Sequence, residues 1–118
     1  MPDFLLIYRY TAADEKAHMG SPEAAQQAMK LWMSWLGELE MKGKLKSAGE
    51  PLETTGKVVR GTKKQVTDGP YAEMKDLVSG FSILTATDAA EAAELAKGCP
   101  VLGFDTGSVE VRPILKLG

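Results

Sequence analysis

Asp68 is the carboxylate best placed in sequence for acid–base chemistry, yet nothing around it identifies a reaction. It lies in Thr67-Asp68-Gly69-Pro70-Tyr71, with Glu73 and Lys75 following closely. An aspartate side chain can accept hydrogen bonds from backbone N–H groups two residues on, and glycine and proline fix unusual backbone angles. The segment therefore predicts a structural turn at the hinge of a domain. The functional alternative is that Asp68 presents its carboxylate to a cavity and takes part in acid–base chemistry. His18 is the only histidine, so one chain cannot build a multi-histidine metal site. It falls in the polar connector Glu15-Lys16-Ala17-His18-Met19. A surface side chain is expected there, and a general base is the sharper reading, since imidazole titrates near neutral pH. Cys99 is the only cysteine, which excludes an internal disulfide and CxxC arrangements. It follows a helix C-terminus, where nothing lowers a thiol pKa, so a buried structural thiol is expected.

Glu110 and Arg112 are two residues apart on one strand face. Structural pairing between them is expected, and binding of an anionic ligand by Arg112 is the alternative. Trp32 and Trp35 read as core, and Trp32 as a possible cavity wall, because an indole N–H needs a partner. Tyr8, Trp32, Tyr71 and Arg112 are the candidate ligand-binding residues, with Asp68 the candidate catalytic one. Phosphate loops and nucleophile elbows are absent from the sequence, and no metal or cofactor is implied.

These residues need a frame. Phe4 to Tyr10 alternates but is apolar on both faces, which predicts a strand covered on both sides. Ser21-Pro22-Glu23 opens a helix with a side-chain cap, a proline at the first position and an acid at the positive dipole end. Ala25, Ala28, Met29, Trp32, Trp35, Leu36 and Leu39 make its apolar stripe, and Gly43 ends it. Leu31 and Met33 lie off the stripe and point to a second contact. Lys44 to Leu52 reads as a strand running into a turn at Gly49-Glu50-Pro51. Gly56–Arg60 and Lys64–Thr67 read as a hairpin. Leu77–Thr85 is the next strand, with Gly80 marking a bulge or a close backbone approach. Asp88 caps a second helix with Glu91 three residues on. Ala89, Ala92, Ala93 and Ala96 give that helix a small-residue face. Ser108–Ile114 is the last strand, and Pro113 places Arg112 near a sheet edge or end.

With the hairpin set aside, the order is βαββαβ, a ferredoxin-like α+β arrangement. Helices would cover one sheet face. An apolar second face predicts a homodimer, and a cavity between sheet and partner would be the natural ligand site. The 118 residues suit a single domain over 1–118. The net charge of -2 and scattered cations give no basic stripe, so direct nucleic-acid binding is not expected. The N-terminus lacks signal-peptide features and no apolar run reaches membrane length. A soluble cytoplasmic protein with no membrane association is expected.

Together, several motifs resemble the DGPF-domain branch of the YCII-related proteins. They are Thr67 to Glu73, Lys75, Gly80-Phe81, Lys97-Gly98-Cys99-Pro100 and Val109-Glu110-Val111-Arg112-Pro113. Trp32-x-x-Trp35, Leu39, Gly43, Leu45 and Gly49-Glu50-Pro51-Leu52 fit as well, and Tyr71 replaces the phenylalanine of the branch name. The resemblance implies a ferredoxin-like fold and a dimeric α+β barrel. It also implies, for some members, a regulatory setting beside sigma factors. The wider group includes a His–Asp pair proposed as catalytic and a dehydrochlorinase-like lyase. Many relatives carry a histidine about where Trp32 stands. His18 lies before the helix, so this chain departs from that pattern. Two functions are therefore expected in turn: a dimeric small-molecule-binding or accessory module, or a cofactor-independent lyase-like enzyme using Asp68.

Overall fold

The computed structural model describes residues 1–11, 13–14, 20–69 and 77–117. His18, Pro70, Tyr71, Glu73 and Lys75 lie outside the described residues. The elements are β1 (Asp3–Tyr10), α1 (Pro22–Met41), β2 (Leu45–Ser47), β3 (Gly56–Arg60), β4 (Gln65–Gly69), β5 (Leu77–Thr85), α2 (Ala89–Ala96), a 3-10 turn (Pro100–Gly103) and β6 (Ser108–Pro113). This is a mixed α+β fold. Among the described residues there are two α-helices, a four-stranded antiparallel sheet in the order β2-β5-β1-β6, and a separate two-stranded sheet of β3 and β4. Among the described residues the larger sheet is open, with β2 and β6 at its edges, and no barrel closes. No described helix is long and apolar enough to cross a membrane.

β1 sets the two faces. Phe4, Leu6, Tyr8 and Tyr10 are buried, while Leu5, Ile7 and Arg9 are half-buried. The strand is thus apolar on both sides but fully covered on only one. β5 repeats the pattern, with Ser82 and Leu84 buried and Phe81 and Ile83 half-buried. The core joins Leu6, Tyr8, Tyr10 and Leu84 to Trp35 and Leu39 of α1, Ala96 of α2, Cys99 and Val101.

α1 starts where a cap was expected: the Ser21 hydroxyl accepts from the Ala24 N–H at 3.1 Å. Asp88 does the same for α2, accepting from the Glu91 N–H at 2.8 Å. The alanine face of α2 is narrower than the spacing implies. Ala92 and Ala96 are buried, but Ala89 and Ala93 are exposed, because a two-turn helix meets the sheet along a single line.

Glycines set the edge beside α1. The register slips between Tyr8 and Arg9, which pair with Gly80 and Val78 and leave Ser79 as the extra residue of a bulge. Gly80 also forms an isolated bridge with Pro51, and a Cβ there would lie 2.9 Å from the Glu50 carbonyl oxygen. Gly49 has φ +70, and a Cβ on it would come within 1.7 Å of the Phe81 carbonyl oxygen. Both features expected at Gly80, bulge and close approach, are present.

Candidate functional site

Drawing the 48–52 segment onto β5 leaves a cleft between that segment, α1 and the sheet. Its volume is about 320 Å³. Tyr8, Tyr10 and Gly80 form part of its floor, Ala28 and Trp32 one wall, and Pro51 and Leu52 the other. α1 stands off the sheet here because Trp32 and Trp35 act as spacers. Tyr8 meets Trp32 edge-on with ring centroids 4.8 Å apart and Trp35 at 6.1 Å. The Trp35 indole N–H donates to the Leu95 carbonyl at 3.2 Å, which fixes it as core. Met29 sits on the apolar stripe of α1 yet is exposed, and Met33 is 67 % exposed. Both border the cleft, which accounts for apolar side chains left in solvent.

The polar groups of the lining are mostly committed. The Ser82 hydroxyl donates to the Ala48 carbonyl at 2.6 Å, and the Ser79 hydroxyl to the Tyr8 carbonyl at 3.3 Å. The Leu52 N–H donates to the Ser79 carbonyl at 2.8 Å, and the Phe81 N–H to that of Glu50 at 3.3 Å. Tyr8 Oη is buried and makes no hydrogen bond. Burial holds its phenol well above the ordinary value, and the neighbouring Ser82 hydroxyl opposes this only in part. Ser82 donates its one proton to Ala48, and its oxygen, though able to accept, makes no hydrogen bond with Tyr8 Oη. Burial likewise pushes the Cys99 thiol up to about 12. A thiol so hard to ionise is no nucleophile.

The other sequence candidates lie elsewhere. Asp68 is on strand β4, and residues 70 and 71 of the expected turn lie outside the described residues. It pairs with Lys57 across the ribbon, and Lys57 Nζ donates to its carboxylate. The two-residue reach of an Asx turn finds no donor, because Pro70 carries no backbone N–H. Its side chain is 88 % exposed, and it is not among the residues lining the cleft. Arg112 Nη1 donates to Glu110 at 3.2 Å, and Arg9 Nη1 donates to the other carboxylate oxygen. These contacts, with Arg9 the stronger, hold the Glu110 carboxyl below its usual range. Arg112 lies on edge strand β6, away from the cleft lining. Of the candidates, Tyr8 and Trp32 share the cleft, while Asp68 and Arg112 do not. Tyr71 and His18 lie outside the described residues.

Sequence reasoning missed Met29, Met33, Pro51 and Leu52 as lining residues. Two signals could have found them: the off-stripe Met33, and the apolar Pro51-Leu52 beside a glycine able to approach a strand. Among the described residues no group of His, Cys, Asp and Glu could hold a metal ion.

Among curated proteins, none matches the chain. The model of the YCII-related domain matches residues 4–117, which takes in every strand and helix described above except the first residue of β1. The chain therefore belongs to the YCII-related family.

Proposed function

We propose that the chain is a small-molecule-binding or accessory module whose ligand occupies the cleft between α1 and the sheet. The observation that carries this reading is the cleft itself. Its volume of about 320 Å³ falls within the roughly 300–1,000 Å³ of ordinary ligand sites. The ligand class follows from the lining. Among the described residues it holds no Lys, Arg or His, and its one acid, Glu50, is exposed. An anion would lose hydration and meet no compensating charge. The cleft therefore takes a neutral, largely apolar molecule and binds it by burial.

The lyase-like alternative needed Asp68 at a cavity and has no support from its pairing with Lys57. We also place the chain in the DGPF branch, on Asp68-Gly69-Pro70 and the motifs around it. With β3 and β4 set aside, the strand order β2-β5-β1-β6 supports a ferredoxin-like topology. The half-buried outer face of Leu5, Ile7, Phe81 and Ile83 supports a homodimer whose sheets face one another as an α+β barrel. The lone buried thiol of Cys99 fits a cytoplasmic setting.

Two dyes with one skeleton test the ligand class. N-phenyl-1-naphthylamine is neutral, and 8-anilino-1-naphthalenesulfonate carries an added anion. Fluorescence titration at about pH 8 is expected to give saturable binding of the neutral dye, at least about tenfold tighter than the sulfonate. Met33→Lys, at an exposed rim position, is expected to narrow that gap. Equal affinity of the wild type for both dyes would refute the charge selection. Failure of the neutral dye to bind would remove the cleft as a ligand site.

A further inference from the structure

The β3–β4 ribbon has no place in the cleft or in either core cluster. Among the described residues its strands pair with each other and with no other strand. A two-stranded ribbon is marginally stable in water by itself. This one also exposes a directly opposed apolar pair, Val59 and Val66, which are 65 % and 62 % exposed. Its turn is made by Gly61 to Lys64, with positive φ at Gly61 and Lys64.

The charge of the molecule is segregated between ribbon and body. Residues 56–69 hold Lys57, Arg60, Lys63 and Lys64 against the single acid Asp68, a net of +3, while the whole chain is at -2. The rest of the chain is therefore at -5. On that body Glu38, Glu40, Glu50 and Glu53 are exposed and form no ion pair among the described residues. A basic arm with an apolar pair and an acidic body without cations to match are complementary, and one chain carries both.

We propose that the β3–β4 ribbon is a clasp that lies against the acidic body of a second copy of this chain. The inference rests on the homodimer reading above and adds which element holds the two copies together. Mutual exchange of two arms is a closed, two-fold arrangement, since each copy gives a ribbon and receives one. Covering Val59 and Val66 supplies apolar burial, and the charge difference orients the approach. A nucleic-acid partner fits less well. Three net charges neutralise few phosphates, and the acidic body repels the rest of the duplex.

Sedimentation equilibrium tests the clasp on the wild type, on Lys63→Glu/Lys64→Glu and on Val59→Ser. The wild type is expected to dimerise. Each variant is expected to weaken the dimer about tenfold or more, with a far-UV circular dichroism spectrum that shows the fold retained. Raising NaCl from about 0.05 to about 0.5 M is expected to weaken the wild-type dimer as well. Thr62→Cys then gives a single accessible thiol, because Cys99 is buried. A spin label there is expected to broaden amide resonances of an isotope-labelled, unmodified partner on its acidic surface. A dimer that the variants leave unchanged, or a label that broadens nothing on the partner, overturns the clasp and leaves the homodimer standing. A monomeric wild type overturns both. Salt-sensitive retention of duplex DNA, lost in Lys63→Glu/Lys64→Glu, would assign the ribbon to nucleic acid instead.

Discussion

Tyr8 is the buried hydroxyl with most to reveal. It is 3 % exposed and makes no hydrogen bond, so its O–H loses water without return. Tyr8→Phe is expected to leave stability unchanged or raise it by up to about 1 kcal/mol, measured by urea unfolding. A loss of more than that would show that the hydroxyl has a partner. Cys99 gives a pH dependence with a definite sign. Its ordinary value of 9.0 is raised to about 12 by burial, so the unfolded chain releases this proton first. The contribution to stability is full below about pH 9 and is lost as the pH rises towards 12. Tyr8, also raised by burial, acts in the same direction at still higher pH. The urea midpoint should therefore fall as pH climbs above about 9, and fall less steeply in Cys99→Ala. A wild-type midpoint that holds flat in that range would contradict the burial of these groups. Asp68→Asn touches only an exposed pair with Lys57, so melting temperature and dye affinity should both stay at their wild-type values.

At the scale of elements, two glycines make opposite predictions. Gly49→Ala places a methyl group 1.7 Å from the Phe81 carbonyl oxygen at φ +70. It should cost more than about 2 kcal/mol and release the cleft wall formed by residues 48–52. Gly37→Ala, inside α1 with nothing within 4 Å, should stabilise by about 0.5–1 kcal/mol. Thermal unfolding of both checks the pair, and equal effects would contradict the close approach at Gly49. The same scale explains what could be read in advance. Helix caps at Ser21 and Asp88, the succession of strands and helices along the chain and the hairpin were legible because each depends on neighbours in sequence. Gly80 announced a close approach because a bare backbone inside a strand needs a reason. The cleft was not legible, since it arises where α1, β5 and the 48–52 segment meet, and no local pattern encodes that distance. Asp-Gly-Pro is a turn signal locally, and the described part of it, up to Gly69, lies in the ladder with β3, a pairing that depends on the facing strand rather than on its immediate neighbours.

The whole molecule is flat, 45 × 43 × 20 Å, with a radius of gyration of 15.5 Å. A compact chain of this length would have a radius of about 13.5 Å. The excess fits an arm that extends from the body. The half-buried outer face and the ribbon valines both need cover, and the homodimer reading predicts a mass twice 12.7 kDa in sedimentation. What ties the scales together is where a ligand sits. An amide and indole NMR titration with N-phenyl-1-naphthylamine reads this residue by residue. Saturable shifts are expected at Trp32 and Met33, at 48–52 and at Gly80, with the ribbon around Asp68 and the edge strand at Arg112 unmoved. Shifts centred on Lys57 and Asp68, or on Arg112, would contradict the cleft as the ligand site.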